Sequence, residues 1–314
     1  MPQVYPVAIA WNWEYDADFV TLLDGACRAR GLALLQVTPV TLPSTIAQLN
    51  AGEISLHMLL DRAWDVDESF IPIADVCRAR KHRILNDRPV ALRAWDKATM
   101  HLEFIAAGLH TPHAIVLPPF NDRPDVPLPD LSQLGAPFII KPAMGGGGSG
   151  VNHNLTTWMQ IQHFRQEFPT DKYLIQAKIT PRPTEIGPAW FRVIYVLGEV
   201  LPFWWNVHTH EYRTVTSEQE RRLGLAPLRD VARTIARVCR LDLFSTEIAQ
   251  RSEDGAFVSV DYVNDPIDLR LQSTAVDGVP DATVRQIAQR IAQCALTQPD
   301  AQPMKIDQDL PAAR

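Results

Sequence analysis

A run of glycines between two apolar segments constrains this chain more than any other feature of its sequence. Residues 137–151 read Pro-Phe-Ile-Ile-Lys-Pro-Ala-Met-Gly-Gly-Gly-Gly-Ser-Gly-Val, so a short apolar strand ends at Lys141 and leads into the glycines. Five of the 15 glycines of the chain lie in this run, around Ser149: Gly145, Gly146, Gly147, Gly148 and Gly150. Because glycine is flexible and leaves its backbone N–H groups uncovered, the segment predicts a cradle for a polyphosphate.

Three known phosphate-binding motifs fit this run poorly. The spacing of its first, third and last glycines matches a dinucleotide fingerprint, but residues 151–155 predict a strand or turn where that fingerprint opens a helix. A Walker loop needs Gly-Lys-Ser/Thr, whereas residues 149–151 are Ser-Gly-Val. In protein kinases the lysine follows the glycines, whereas here Lys141 precedes them. The order of strand, lysine, glycine-rich hairpin and strand therefore indicates another kind of nucleotide site.

Composition narrows the class of protein. With 314 residues, 46% of them hydrophobic and 21% charged, the chain is typical of a globular protein with two or three lobes. Its net charge of -6 argues against nucleic acid and anionic membranes as partners. No signal-peptide pattern or membrane-spanning apolar run is present, and the four cysteines form no CxxC pair. We therefore expect a cytoplasmic protein with reduced cysteines.

Alternating strand and helix patterns organise the first part of the chain. Residues 1–89 follow the order βαβαβαβ, which predicts a Rossmann-like lobe with a parallel sheet. Ligands of such sheets bind beyond the carboxyl ends of the strands. The patterns after this lobe predict the following elements: a helix at 90–108, a strand at 111–117, a proline-rich loop at 118–135, a strand at 173–179, a hairpin at 190–206, two strands at 244–250 and 256–262, a helix at 281–296, and a disordered tail at 298–314.

Three oxygen-bearing side chains fall on the last two predicted strands. Glu247 lies on the first of them, and Asp261 and Asn264 lie on or just after the second. An oxygen-only ligand set without histidine or cysteine suits magnesium, which binds carboxylates together with phosphate oxygens. Since these residues follow a predicted phosphate cradle, they predict a magnesium site.

At this point the order of motifs resembles the ATP-grasp superfamily, in particular glutathione-synthetase-like ligases. The resemblance covers residues 5–295 and rests on the order of its motifs. They are Asn86-Asp87-Arg88-Pro89, Trp95-Asp96-Lys97-Ala98, Gly-Leu-His-Thr-Pro at 108–112, the lysine strand with its glycine flap, the strand at 173–179, Phe191-Arg192-Val193, Glu247, and the segment Val-Asp-Tyr-Val-Asn-Asp-Pro at 260–266. The resemblance implies an α/β (α+β) fold class, with a Rossmann-like lobe at 1–89, a small lobe carrying the flap at 90–180, and a large lobe carrying the magnesium strands at 181–297.

The resemblance also implies roles for individual residues. ATP phosphates would be contacted by Lys97, Lys141 and the glycine flap, and Arg192 would stabilise the transferring phosphoryl group. One or two magnesium ions would be held by the carboxylates and the asparagine named above. The adenine would be held by the backbone of four consecutive residues: Gln176, Ala177, Lys178 and Ile179.

One spacing departs from the family pattern. The family usually separates the last acidic residue and the asparagine by two positions, whereas Asp261 and Asn264 are three apart. On a regular strand those side chains would point to opposite faces, so a bulge or the end of the strand must realign them. Asp265 is the rival ligand, because it would share the face of Asp261.

Two further segments bear on the substrate. Arg270 and Ser273 follow the metal strand where family members often bind a substrate carboxylate, and an ion pair of Arg270 with Asp265 or Asp268 is the alternative. The Trp-Trp-Asn-Val-His-Thr-His segment at 204–210 could wall a pocket, and we interpret its histidines as rim or surface groups.

The resemblance predicts an ATP-dependent enzyme that activates a carboxylate as an acyl phosphate and joins it to an amine or thiol. A kinase on the same fold and a non-catalytic ATP-binding regulator are the alternatives. We expect small-molecule carboxylate and amine substrates, with neither nucleic acid nor membrane as a partner, and a homodimer is one option for assembly.

Overall fold

The computed structural model describes residues 2–296, which divide into two compact units. The first unit contains residues 2–85 and 285–296, and the second contains residues 86–284. The predicted tail at 298–314 lies outside the described residues. The predicted three-lobe division of the chain stays a prediction.

The first unit is built on a four-stranded parallel sheet with the strand order β2-β1-β3-β4. Its strands are β1 (Gln3–Trp11), β2 (Leu34–Val37), β3 (Ile54–Arg62) and β4 (Arg83–Leu85). Its connecting helices are α1 (Ala17–Arg28), α2 (Leu42–Ala51) and α3 (Ile71–Ala79). The centre of β1 is a continuous apolar run that is fully buried, as expected for a parallel strand covered on both faces. The predicted parallel sheet is confirmed.

The second unit opens with two helices where the sequence predicted a single one at 90–108. They are α4 (Arg88–Trp95) and α5 (Lys97–Ala106). The predicted single helix is wrong because Asp96 leaves the helical conformation, with ψ at 95°, and caps α5. Its carboxylate accepts hydrogen bonds from the backbone N–H groups of Ala98 at 3.0 Å and Thr99 at 3.2 Å. The cap fixes the position of Lys97 as the first residue of α5.

A small antiparallel sheet carries the glycine run. Its strands are β5 (Ala114–Leu117), β6 (Phe138–Pro142), β7 (Asn152–Leu155) and β8 (Tyr173–Gln176), in the order β5-β8-β6-β7. Helix α6 (Trp158–Phe164) follows β7 and begins with a capping box at Thr157 and Gln160. The glycine run forms the connection between the paired strands β6 and β7.

A fully buried arginine holds the proline-rich loop against this sheet. Arg165 follows α6, and its guanidinium donates to the backbone carbonyls of Pro118 at 2.8 Å and Arg123 at 3.0 Å. Its guanidinium carbon lies 5.5 Å from the ring centre of Phe120. The loop is therefore fixed largely through its main chain.

The second unit also contains a five-stranded antiparallel sheet with the order β13-β12-β11-β14-β15. After a short hairpin of β9 (Pro183–Thr184) and β10 (Gly187–Pro188), its strands are β11 (Trp190–Val196), β12 (Glu199–Trp205), β13 (Tyr212–Thr214), β14 (Leu243–Gln250) and β15 (Phe257–Asn264). Helices α7 (Ser217–Leu223) and α8 (Pro227–Cys239) follow β13. The last helix, α9 (Asp281–Cys294), belongs to the first unit from residue 285 onward. The apolar side of α8 packs on β11, β12 and β14.

These two units confirm the predicted α/β class with parallel and antiparallel sheets. No helix within residues 2–296 is long and apolar enough to cross a membrane.

Candidate active site

The glycine run is an exposed turn whose backbone requires glycine at most positions. Four of its glycines have φ between +63° and +99°, in the region that other residues rarely adopt: Gly145, Gly147, Gly148 and Gly150. Gly150 is also packed closely, because a Cβ atom there would lie 2.6 Å from the ring of Phe168. The remaining members, Gly146 and Ser149, are exposed. The loop is thus anchored at Gly150 and open towards its centre.

Two predicted phosphate-binding lysines meet at the base of this loop. Lys97 donates from Nζ to the carbonyl of Gly145, and its backbone N–H donates to the carbonyl of Ala143 at 2.9 Å. Lys141 is 6% exposed, and its Nζ donates to the carbonyl of Val260 at 3.1 Å. Burial lowers the pKa of Lys141 to about 8, although the negative charge of Asp261 opposes that shift.

Arg192, Glu247 and Asp261 lie side by side on three neighbouring strands. Strand pairing places Arg192 of β11 opposite Glu247 of β14, and Glu247 opposite Asp261 of β15. The Arg192 guanidinium donates to Glu247 Oε1 at 2.6 Å and to Ser245 Oγ at 3.1 Å. The indole of Trp190 donates to the other oxygen of Glu247 at 2.9 Å. These contacts fix the arginine and the carboxylate relative to each other.

The unusual spacing of Asp261 and Asn264 is accommodated by a β-bulge. Between two aligned pairs, Ser245 with Asn264 and Glu247 with Asp261, β14 advances two residues while β15 advances three. The extra residue returns Asn264 to the side of Asp261, and its Nδ2 donates to Asp261 Oδ2 at 3.1 Å. Asp265, the rival ligand, instead accepts a hydrogen bond from Asn86 at 2.8 Å. The geometry therefore favours Asn264 over Asp265 as the partner of Asp261.

Cations surround the Asp261 carboxylate. Burial alone would raise the pKa of Asp261, but the positive charges of Lys141, Lys97 and Arg192 outweigh burial and hold that pKa below its usual value. The Nζ of Lys141 lies 3.9 Å from Asp261 Oδ1. The carboxylate is consequently ionised at neutral pH and available to a cation.

The donor set fits magnesium. Glu247 and Asp261 present carboxylate oxygens on adjacent strands, and Asn264 adds an amide oxygen that is not consumed by its bond to Asp261. All three ligands are hard oxygen donors of the kind that magnesium binds together with phosphate. Their assignment as metal ligands stays a prediction.

Tyr262 joins the two sheets beneath this site, and sequence reasoning missed it. Its ring lies 5.2 Å from Lys141 Nζ, and its hydroxyl accepts a hydrogen bond from Gln176 Nε2 at 2.7 Å. The same hydroxyl lies 2.6 Å from His101 Nδ1 on α5. No local sequence signal indicates this role, because the partners of the hydroxyl, Gln176 and His101, are distant in sequence.

The segment predicted to bind adenine is shorter as a strand than expected. Strand β8 ends at Gln176, whose side chain is buried against Tyr262. Beyond it, the backbone N–H of Ala177 donates to the carbonyl of His113 at 2.9 Å, and Lys178 donates to Asn154 at 3.2 Å. Ile179 lies in the non-strand stretch that follows. Adenine binding by these residues stays a prediction.

The residues predicted to bind the substrate carboxylate are engaged elsewhere. Arg270 pairs with Asp268 and Asp277 at 2.7 and 2.8 Å, which matches the ion-pair alternative for Asp268 but not for Asp265. Ser273 donates from Oγ to Asp281 at 2.7 Å. A substrate role for Arg270 and Ser273 stays a prediction.

An aromatic stack covers Arg192, and a pocket wall formed by these aromatic residues stays a prediction. The Arg192 guanidinium carbon lies 5.1 Å from the ring centre of Trp205. His210 stacks on Trp205 with ring centres 5.5 Å apart, and Tyr212 packs edge-on at 4.7 Å. The predicted interpretation of His210 as a rim group agrees with its exposed position.

Comparison with known proteins identifies the fold. No protein-family model and no curated protein matches the sequence. Solved structures do match. A RimK-domain ATP-grasp protein from Sphaerobacter thermophilus is 20% identical, with a TM-score of 0.61 over 93% of this chain and 99% of that chain. The ATP-grasp ligase PsnB, complexed with a minimal precursor, Mg and ADP, is 13% identical, with a TM-score of 0.61 over 92% and 97%.

D-alanine–D-alanine ligase from Bacillus anthracis, complexed with ATP, is a third similar structure. It is 12% identical, with a TM-score of 0.60 over 92% of this chain and 97% of that chain. All three matches extend over nearly the full length of both partners. The sheets, the glycine flap and these matches together show that the chain has the ATP-grasp fold.

Proposed function

We propose that this protein is an ATP-dependent ligase that activates a substrate carboxylate as an acyl phosphate and then joins it to an amine or a thiol. The observation that carries the proposal is the row Arg192, Glu247 and Asp261 on adjacent strands, with Lys141 3.9 Å from Asp261. A glycine flap anchored at Gly150 leads out of the strand that carries Lys141. Phosphoryl transfer requires positioned charge and does not require a covalent nucleophile from the protein. This arrangement supplies the positioned charge.

In the first step a carboxylate oxygen of the substrate bonds to the γ-phosphorus of ATP, and the bond from that phosphorus to the β–γ bridging oxygen breaks to release ADP. Lys97, Lys141 and the flap N–H groups would hold the phosphates. Arg192 would neutralise charge that develops on the transferring phosphoryl group. Magnesium, held by Glu247, Asp261 and Asn264, would supply further charge neutralisation when bound.

In the second step the amine nitrogen bonds to the acyl carbon, inorganic phosphate leaves, and the nitrogen gives up a proton. The glycine flap would exclude water during the lifetime of the acyl phosphate, because water would otherwise hydrolyse it. The similar solved structures support the use of ATP and magnesium, since they include ligases complexed with Mg and ADP or with ATP.

The kinase alternative has less support. A kinase needs a base near the acceptor hydroxyl, and the sequence offered Asp261 or Asp265 for that role. Asp261 is surrounded by cations that lower its pKa, which weakens it as a base, and Asp265 accepts a hydrogen bond from Asn86. We therefore propose small carboxylates and amines as substrates, and homodimer formation stays a prediction.

Hydroxylamine trapping tests the proposal most directly. The purified protein would be incubated with Mg–ATP, pooled carboxylic acids and hydroxylamine, and ADP and hydroxamate would be measured. A ligase yields both, because hydroxylamine intercepts the acyl phosphate at its acyl carbon. A kinase yields ADP and a stable phosphate ester without hydroxamate, and a regulator yields neither product.

A lysine pair provides the matched control. Lys141→Met removes the buried ammonium at the end of β6, and we expect ADP release to fall by about a hundredfold or more. Lys81→Met removes an exposed lysine of the first unit and should leave turnover unchanged. Equal activity of the two variants would contradict the proposed site.

A further inference from the structure

A cleft of about 610 Å³ is lined by residues other than those assigned to ATP and magnesium, although it adjoins the segment predicted to bind adenine, since the carbonyl of His113 accepts from Ala177 and Ala114 pairs with Gln176. It is lined by α5, the segment 109–113, β5 and the residue that follows β14. The residues that carry the argument are His101, Leu102, Ile105 and Arg251. Its volume falls within the range of about 300 to 1,000 Å³ that is typical of small-molecule sites.

His101 directs a hydrogen-bond donor into this cleft. The residue is 4% exposed, and its Nδ1 is bonded to the hydroxyl of Tyr262. Gln176 donates to that hydroxyl, which leaves its single hydrogen to be donated to His101 Nδ1, and in that tautomer the ring carries its own proton on Nε2. Within residues 2–296, Nε2 has no hydrogen-bond partner, and it is not enclosed by protein atoms. A buried ring thus keeps one donor for a molecule in the cleft.

Arg251 supplies a second donor, although Asp254 neutralises its charge. Its Nε and Nη2 donate to Asp254 at 2.9 and 2.6 Å, which holds the guanidinium in a fixed orientation. The remaining nitrogen, Nη1, forms no hydrogen bond to any residue in the described part of the chain. A carboxylate accepts well from such a preoriented guanidinium.

Part of the lining of the cleft is apolar. Leu102 and Ile105, on one face of α5, are 62% and 53% exposed, although both are large hydrophobic residues. His110 and His113 are exposed at the rim. Two donors and an exposed aliphatic surface in the same cleft match a molecule with an acidic end and an apolar end.

We propose that this cleft binds a small monocarboxylate with a short aliphatic chain. The carboxylate accepts from His101 Nε2 and Arg251 Nη1, and the chain packs on Leu102 and Ile105. The two donors are not among the residues assigned to ATP, magnesium or phosphoryl transfer, and the inference does not rest on the ATP-dependent reaction.

Calorimetric titration of the full chain with hexanoate tests this inference, with hexan-1-ol as the probe that lacks the carboxylate. We expect saturable binding of hexanoate in the millimolar range or tighter, and weaker binding of the alcohol. Ile105→Glu places a negative charge on the apolar wall and should weaken hexanoate binding by about tenfold or more. Arg251→Gln, which removes the charged donor, should weaken hexanoate but not hexan-1-ol.

Two controls separate this cleft from other sites. Met159→Glu makes the same kind of change on α6, where the side chain is 82% exposed, and should leave the affinity unchanged. Arg192→Met should also leave it unchanged, whereas hexanoate bound at the proposed active site would lose affinity in that variant. The inference is overturned if hexanoate does not saturate the protein, if Ile105→Glu and Met159→Glu bind it equally, or if Arg192→Met abolishes binding.

Discussion

At the scale of single residues, His101 links the stability of the fold to pH. Burial, together with the nearby charge of Lys141, lowers the pKa of His101 to about 4, so the folded protein keeps the ring neutral. The unfolded chain takes up a proton near pH 6.5. As the pH falls from that value towards 4, the unfolded state is therefore favoured, and we expect the free energy of unfolding to decrease by about 3 kcal/mol.

Urea unfolding of the wild type and His101→Gln across this pH range would measure the effect. The variant lacks the titrating ring, so its loss of stability on acidification should be smaller than that of the wild type. His82, whose pKa burial also lowers, is present in both proteins and cancels in the comparison. Parallel pH profiles would show that His101 is not the responsible group.

Several site residues could be predicted, because their residue type and their position along the sequence were enough to indicate their chemistry. Lys141 before the glycines, and Glu247 and Asp261 on late strands, needed only local patterns to be recognised. Tyr262 could not be found in this way, because its role depends on Gln176 and His101, which are distant in sequence. The role of its hydroxyl becomes visible only when the elements that carry Tyr262, Gln176 and His101 pack together.

At the scale of elements, the glycine loop depends on one residue more than on the others. At Gly150 φ is +68°, and an added Cβ would lie 2.6 Å from Phe168 and 3.1 Å from Pro142. At Gly146 φ is not positive, and nothing lies within 4 Å of an added Cβ. We expect Gly150→Ala to lower the free energy of unfolding by about 1–3 kcal/mol.

Gly146→Ala is the matched control for this loop. It should change the free energy of unfolding by less than about 0.5 kcal/mol, as exposed substitutions usually do. Denaturant titration of both variants gives the comparison. If both variants had the stability of the wild type, Phe168 would not pack against the loop as described.

The sequence predicted an element correctly where a local pattern defines it. The prediction failed where a single side chain overrides that pattern. The helical periodicity runs through Asp96, so no apolar signal marks the break between α4 and α5. The carboxylate of Asp96 makes the break by accepting from Ala98 and Thr99. Strand β15 was the opposite case, because the spacing of Asp261 and Asn264 demanded a bulge or a strand end, and the strand pairing shows a bulge.

At the scale of the whole molecule, the net charge of the chain is negative, whereas positively charged side chains cluster at the candidate site. The chain has a net charge of -6, yet Lys97, Lys141 and Arg192 converge around the single carboxylate of Asp261. A protein with a net negative charge repels polyanions in general. The cluster of three cations can still attract a polyphosphate to the candidate site.

Binding of magnesium and ATP at the proposed site should therefore raise the free energy of unfolding of the protein. With Mg and a non-hydrolysable ATP analogue at a hundredfold excess over the dissociation constant, we expect a gain of about 2.7 kcal/mol in the free energy of unfolding. Thermal unfolding with and without a chelator measures the part that requires magnesium. Glu247→Gln keeps the size of the side chain and one acceptor oxygen, but it loses the charge and the second acceptor that Arg192 and Trp190 share between them, so the magnesium-dependent part should shrink.

An exposed carboxylate gives the reference for that measurement. Glu185→Gln changes a side chain that is 52% exposed and pairs with Arg222 on the surface, so the stabilisation by Mg and the analogue should equal that of the wild type. If Glu247→Gln also behaved like the wild type, magnesium would have to be held elsewhere.

Arg165 gives the loop at 118–123 an unusual tolerance. Every amino acid has a backbone carbonyl, and the arginine holds this loop through the carbonyls of residues 118 and 123. Substitutions in the loop at positions other than 120 would therefore leave its anchor in place, whereas a change at Arg165 would remove two of the hydrogen bonds that attach the loop to the fold. Over evolutionary time such a loop can diversify freely, and in the laboratory its polar positions are suitable places for a fluorescent label.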